Sequence, residues 1–268
     1  MRLGIYLALS FGITWVCWWT LAGWVPPGAA PTTSATFMSL YILGGFGPTI
    51  AAAVAVASTS RSGGYKHDYL ARLLRWRVKV TWWIAAVSVP VVFAVAKEWI
   101  AVWASHGALT AAALEPASKA FILFPTMIIG GGLEELGWRG VAQPEIERWC
   151  PRLTTTLIVG AAWALWHLPL FYIHGVSQFG GDLPLFAVDV LANAYLLAWI
   201  YTRTQSILLC VIAHAASNTA TAMGFYVSAD HPAMPIWIAT LAKVLAAAIL
   251  LAATSPPRDR AATRMSSP

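Results

Sequence analysis

Eight stretches of mostly apolar sequence, each about as long as a bilayer is thick, constrain this chain more than any other feature. They cover residues 3–25, 36–58, 80–103, 118–141, 153–174, 183–202, 206–227 and 235–254, with short linkers between them. A helix needs about 20 apolar residues to cross the hydrocarbon core, and a spanning segment must satisfy its backbone hydrogen bonds internally. The expected fold is therefore an all-α membrane protein, a polytopic bundle of about eight transmembrane helices forming one integral membrane domain over residues 1–268. A soluble domain is excluded by composition: 59% of the residues are hydrophobic and 10% charged, against about 25% charged in soluble domains. The first apolar run, Leu3–Val25, exceeds the about 7–15 residues of a signal-peptide core and reads as a retained helix. Fifteen tryptophans suit a chain with much membrane–water interface.

Lys and Arg set the orientation. With the N-terminus in the cytoplasm, every basic residue except Lys97, Lys119 and Lys243 falls in a cytoplasmic segment, including the polar tail 255–268. Those three lie within or beside spans. The outer loops hold acids (Glu115, Asp182, Asp230) and no base. Both termini are thus expected in the cytoplasm, and the net charge of +6 needs no nucleic-acid partner. The stretch YLARLLRWRVKV, 69–80, reads as a basic amphipathic segment on the inner leaflet. Cys17, Cys150 and Cys210 form no CxxC pair, so they mark neither a disulfide framework nor a zinc-thiolate site.

Polar groups inside the apolar runs carry the functional signal, because each charge at bilayer depth costs about 2.5–3.5 kcal/mol on insertion scales. GGLEELGWRG, 131–140, holds Glu134, Glu135 and Arg139. Glu135 and Arg139 are four apart and share a helix face. Glu134 is rotated about 100° away and must find its partner on another helix. WALWHLPLF, 163–171, places His167 near the middle of the fifth run, one turn after Trp163, with Pro169 to bend the helix and free carbonyls. IAHAASNTA, 212–220, projects His214 and Asn218 to one face. Each group alone is ordinary interhelical glue. Together, on three helices, they point to one shared polar cavity. A buried carboxylate and an imidazole can activate water, and a second histidine with an amide can stabilise an oxyanion. The same residue types also suit zinc.

In this order, EELGWR (EExxxR), WALWH (aromatic-xxxH) and HAASN (HxxxN) resemble the CPBP family of intramembrane proteases, which includes the CAAX prenyl endopeptidases and bacteriocin-processing and immunity proteins. The resemblance covers residues 118–225. It implies a membrane endopeptidase in which Glu134 and His167 activate the attacking water. His214 and Asn218 would stabilise the oxyanion, and Glu135 and Arg139 would form a supporting pair. Trp163 stands where many members have Phe. The family is classed with metalloproteases, but the chain has no HExxH motif. The expectation is a reaction without a cofactor; a zinc ion, if used, would fall to Glu134, His167 and His214.

Three functions fit these residues. The first is an endopeptidase cleaving near the C-terminus of a lipid-anchored or membrane-embedded peptide. The second is a non-catalytic immunity or scaffold protein with the same fold. The third is a transporter using Glu134 and the histidines as a proton relay. The intact polar set favours the first, and the absence of repeats disfavours the third. The expected partners are the lipid bilayer and a membrane-associated peptide or protein, and the expected location is a bacterial inner or plasma membrane. Asp189 and Asn193, four apart, are placed as a second candidate lining of the cavity. Lys97 with Glu98 reads as an in-helix or lateral pair, and Lys243 as a snorkelling or cavity-facing residue. The glycines of GGFGP, 44–48, and GGG, 130–132, predict close helix packing.

Overall fold

A computed structural model describes residues 1–25, 34–59, 64–104, 117–223 and 233–254. The tail 255–268 and the end of the seventh apolar run, 224–227, lie outside them. Helices make up most of the described residues: α1 (Arg2–Trp24), α2 (Ala35–Gly45), α3 (Gly47–Thr59), α4 (Gly64–Leu73), α5 (Val80–Ala104) and α6 (Ala120–Gly130). A 3-10 turn (Gly132–Glu134), α7 (Glu135–Gly137), a π turn (Trp138–Ala142) and α8 (Gln143–Ile146) continue the line of α6. Then come α9 (Arg152–Trp166), a second 3-10 turn (Leu168–Tyr172), α10 (Leu183–Thr204), α11 (Ile207–Ala222) and α12 (Ala233–Ala252).

Among the described residues, six helical segments are long and apolar enough to cross a membrane. A seventh is the pair α2–α3, bent by 48°. The seventh predicted run forms α11, at 16 residues a shorter apolar helix. It lies in the interior, packed against α5, α6 and α10, and most of its side chains are buried. Large apolar side chains such as Val16, Val92, Phe121, Ile122 and Leu245 point outward instead. This apolar exterior suits a lipid surround. Tryptophan divides between the two: Trp24, Trp103 and Trp149 are exposed, whereas Trp138, Trp163 and Trp166 are core residues.

The bend in the second run follows from its sequence. Pro48 has no N–H for the Gly44 carbonyl one turn earlier. The Thr14 hydroxyl of α1 donates to that carbonyl at 2.6 Å and accepts from the Trp166 indole at 2.8 Å. Gly47 has no room for a Cβ, because Thr14 occupies that place. The close packing expected of GGFGP is thus an approach of α1 to the bend.

The 69–80 stretch departs from its expected place. Helix ends at Leu73, and Tyr69 and Arg72 are buried rather than spread on a leaflet; Leu70, Leu74 and Trp76 remain exposed. The reason lies in the π turn, which departs from the i→i−4 ladder. Tyr69 donates to the Leu136 carbonyl at 3.1 Å. Arg72 donates to the Gly140 carbonyl at 3.2 Å and the Tyr201 hydroxyl at 2.6 Å, and pairs with Asp68 at 2.9 Å. Burial works against the Arg72 charge, but Tyr201 and Asp68 outweigh it and hold its pKa above the ordinary value. Arg72→Met strands two buried acceptors and is expected to cost about 1–3 kcal/mol. The check is thermal unfolding in detergent: the midpoint should fall by about 2–4 °C per kcal/mol, whereas Lys66→Gln, on the exposed face of α4, should leave it in place.

Candidate active site

The Gly130–Gly132 break ends α6 and lets α11 approach. A methyl group added at Gly131 would overlap the Asn218 amide nitrogen and lie 3.3 Å from His214 Nε2. At Gly132 it would lie 2.8 Å from the Val211 carbonyl oxygen. The packing expected of the triple glycine is therefore a contact with the helix that carries the HxxxN residues. It brings His214 Nε2 and Asn218 Nδ2 to one point beside the Gly131 backbone.

The two glutamates have different partners. Glu135 is fully buried, and both its oxygens lie 2.9–3.1 Å from Arg139 Nη1. This is the pair that the four-residue spacing predicts. Arg139 continues to the Ala194 carbonyl at 3.1 Å and lies over the Trp163 ring, 5.2 Å from its centroid. Glu135 also meets His214 Nδ1 at 2.9 Å, a link that the spacing does not reveal. A proton on Nδ1 serves that carboxylate and turns Nε2 toward Asn218.

Glu134 accepts a hydrogen bond from the Trp163 indole at 2.7 Å. Its partner is on another helix, as its rotation from Glu135 requires, but it is the tryptophan rather than His167. His167 also sits differently from the expected mid-helix position. α9 ends at Trp166, and the His167 N–H turns to the Ala164 carbonyl at 3.1 Å in 3-10 fashion. Pro169, which disfavours helical backbone just before it, starts the 3-10 turn. The Trp163 carbonyl, released from the α ladder, accepts His167 Nδ1–H at 2.8 Å. That bond fixes the tautomer and leaves Nε2 with its lone pair. Trp166 and Phe186 meet the His167 ring edge-on at 4.7 and 5.1 Å.

Trp163 thus joins groups that the sequence presents separately. A buried indole needs an acceptor and a buried carboxylate needs a donor; those two needs were the available signal for the pair. Among the described residues, no three His, Cys, Asp or Glu side chains group as a metal-holding set.

Asp189 and Asn193 form a neighbouring polar cluster with different partners. Asp189 Oδ1 accepts from Lys243 Nζ at 3.0 Å and Lys97 Nζ at 3.3 Å, and Lys97 lies 3.4 Å from Glu98. Lys243 therefore neither snorkels nor stands alone. Asn193 donates to Asp189 at 3.4 Å and accepts from Ser217 of α11 at 3.4 Å. Two cations and two anions thereby balance inside the bundle and tie α5, α10, α11 and α12. Removing one member of a buried pair costs about 3–5 kcal/mol. Asp189→Asn should lower the thermal midpoint clearly, and adding Lys243→Met to it should recover part of the loss.

Comparison with known proteins matches residues 116–220 to the family described as type II CAAX prenyl endopeptidase, Rce1-like. The match contains all six candidate site residues. The chain is also 25% identical over 235 residues to CAAX prenyl protease 2 of Methanococcus maripaludis, covering 80% of this chain and 82% of that protein. The resemblance read from EExxxR, aromatic-xxxH and HxxxN holds.

Proposed function

We propose that this chain, which belongs to the Rce1-like type II CAAX prenyl endopeptidase family, is an intramembrane endopeptidase that hydrolyses a peptide bond near the C-terminus of a membrane-associated or lipid-anchored peptide. The observation that carries this reading is the division of labour between the adjacent glutamates. Glu135 is committed to Arg139 and His214, whereas Glu134 uses one oxygen on Trp163 and keeps the other for a reactant. Only the second arrangement suits a base.

In the proposed reaction, a water molecule binds between the free oxygen of Glu134 and Nε2 of His167. Glu134 takes its proton as the water oxygen bonds to the scissile carbonyl carbon. The developing oxyanion receives the Asn218 amide and the imidazole of His214, which Glu135 holds through Nδ1. The C–N bond then breaks, Glu134 returns its proton to the leaving amine, and a carboxylate and an amine are released. Glu135 and Arg139 hold His214 and the wall of the cavity without touching the substrate. No metal takes part.

The catalytic core in this reading is 118–225. We further read α11 as the eighth crossing, with both termini and the 255–268 tail in the cytoplasm of a cell membrane, because that arrangement places the loop Lys and Arg residues on one side.

Purified Glu134→Gln protein, which keeps a hydrogen-bond acceptor for Trp163 but loses the base, should lose about 10²–10⁴-fold in peptide cleavage. Wild-type turnover after Glu134→Gln would remove the assignment. In a separate measurement, wild-type protein dialysed against 1,10-phenanthroline should keep its cleavage rate. Loss restored by added zinc would instead give the reaction a metal.

A further inference from the structure

We propose that Trp163 is the positioning residue for both halves of the water-activating pair, its side chain setting Glu134 and its main chain setting His167. The proposal rests on Glu134 and His167 being that pair.

Three observations carry it. The indole N–H donates to Glu134 Oε2 at 2.7 Å, in a bond buried from solvent. A carboxylate with one oxygen held this way cannot rotate freely, so the direction of its other oxygen is set. The carbonyl of the same residue accepts from His167 Nδ1 at 2.8 Å, which sets the ring plane of His167 and the direction of Nε2. The indole is itself clamped, with Arg139 over its face at 5.2 Å and His214 meeting it edge-on at 5.1 Å. One residue therefore fixes the angle between the two groups that share the water. Once α9 has docked, their relative geometry is set through this one residue.

The indole N–H is the part of this device that can be removed alone. Replacing Trp163 by 3-benzothienylalanine substitutes sulfur for N–H in a ring of nearly the same shape, and Trp163→Phe removes the donor with some volume. Glu134 would keep its charge but lose its fixed orientation. In both variants kcat should fall about 10- to 100-fold, the range for losing a hydrogen bond to a charged group. KM and the thermal midpoint of the benzothienyl protein should stay unchanged, because Trp163 does not touch the substrate. A benzothienyl protein with kcat within about twofold of wild type overturns the proposal and leaves Trp163 as packing.

Glu134→Gln in the same assay separates this from failure of the proposed function: if that variant is active, the water-activating pair itself is wrong. If the substituted proteins do not fold, the unsubstituted protein labelled with 15N-tryptophan decides. One indole N–H resonance should move upfield in Glu134→Ala, which offers no acceptor. If no indole resonance moves, the bond is absent and the proposal falls.

Discussion

A carboxylate withdrawn from water must be met by donors, and the bundle is organised around two such groups in adjacent positions. Glu135 is met by a cation and an imidazole, so its charge is spent on structure. Among the described residues, the hydrogen bond to Glu134 comes from a neutral indole. A neutral donor orients a carboxylate without cancelling its charge, which is the condition a base requires. The same demand recurs at Asp189, where two lysines from different helices share one acid. Buried ion pairs in hydrocarbon are poor sources of net stability, but they specify which helices adjoin and at what height.

Breaks in the helices supply what regular helices cannot. Departures from the α ladder release backbone carbonyls, and three carbonyls at such breaks take side-chain donors. Pro48 frees the Gly44 carbonyl for Thr14. The 3-10 turn at His167 frees the Trp163 carbonyl for an imidazole. Within the π turn, the Gly140 carbonyl takes an arginine from α4. The candidate site lies among these irregular segments, with α11 as the regular helix against which they close.

What could be read in advance follows from the range of each interaction. Apolar run length marked the helices, because spanning is a local property of about 20 residues. The four-residue spacing of Glu135 and Arg139 revealed their pair for the same reason. Partners from distant segments stayed hidden. Trp163 was visible as an aromatic one turn before His167, but its bond to Glu134 depends on how α9 docks. The 3-10 and π turns have no spacing of their own, so His167 was expected in mid-helix and Arg72 on a leaflet. Lys97, Lys243 and Asp189 were each noticed singly. Electroneutrality in hydrocarbon was the rule that would have matched them, since two lysines inside the bundle without acids are untenable.

The link between α10 and α11 is Gln205 and Ser206 alone. Gln205 takes a left-handed conformation (φ 53°) that ends α10, and Ser206 caps α11 through the Leu209 N–H at 3.1 Å. So short a connection makes the two helices a hairpin, and the Asn193–Ser217 bond joins its two arms. During biogenesis this matters most for α11, which carries His214, Ser217 and Asn218 on only 16 residues and has a weak claim to hydrocarbon by itself. If α11 crosses the membrane as proposed, the apolar length of α10 would bring it in, and the helix that carries half of the proposed chemistry would depend on its neighbour for insertion.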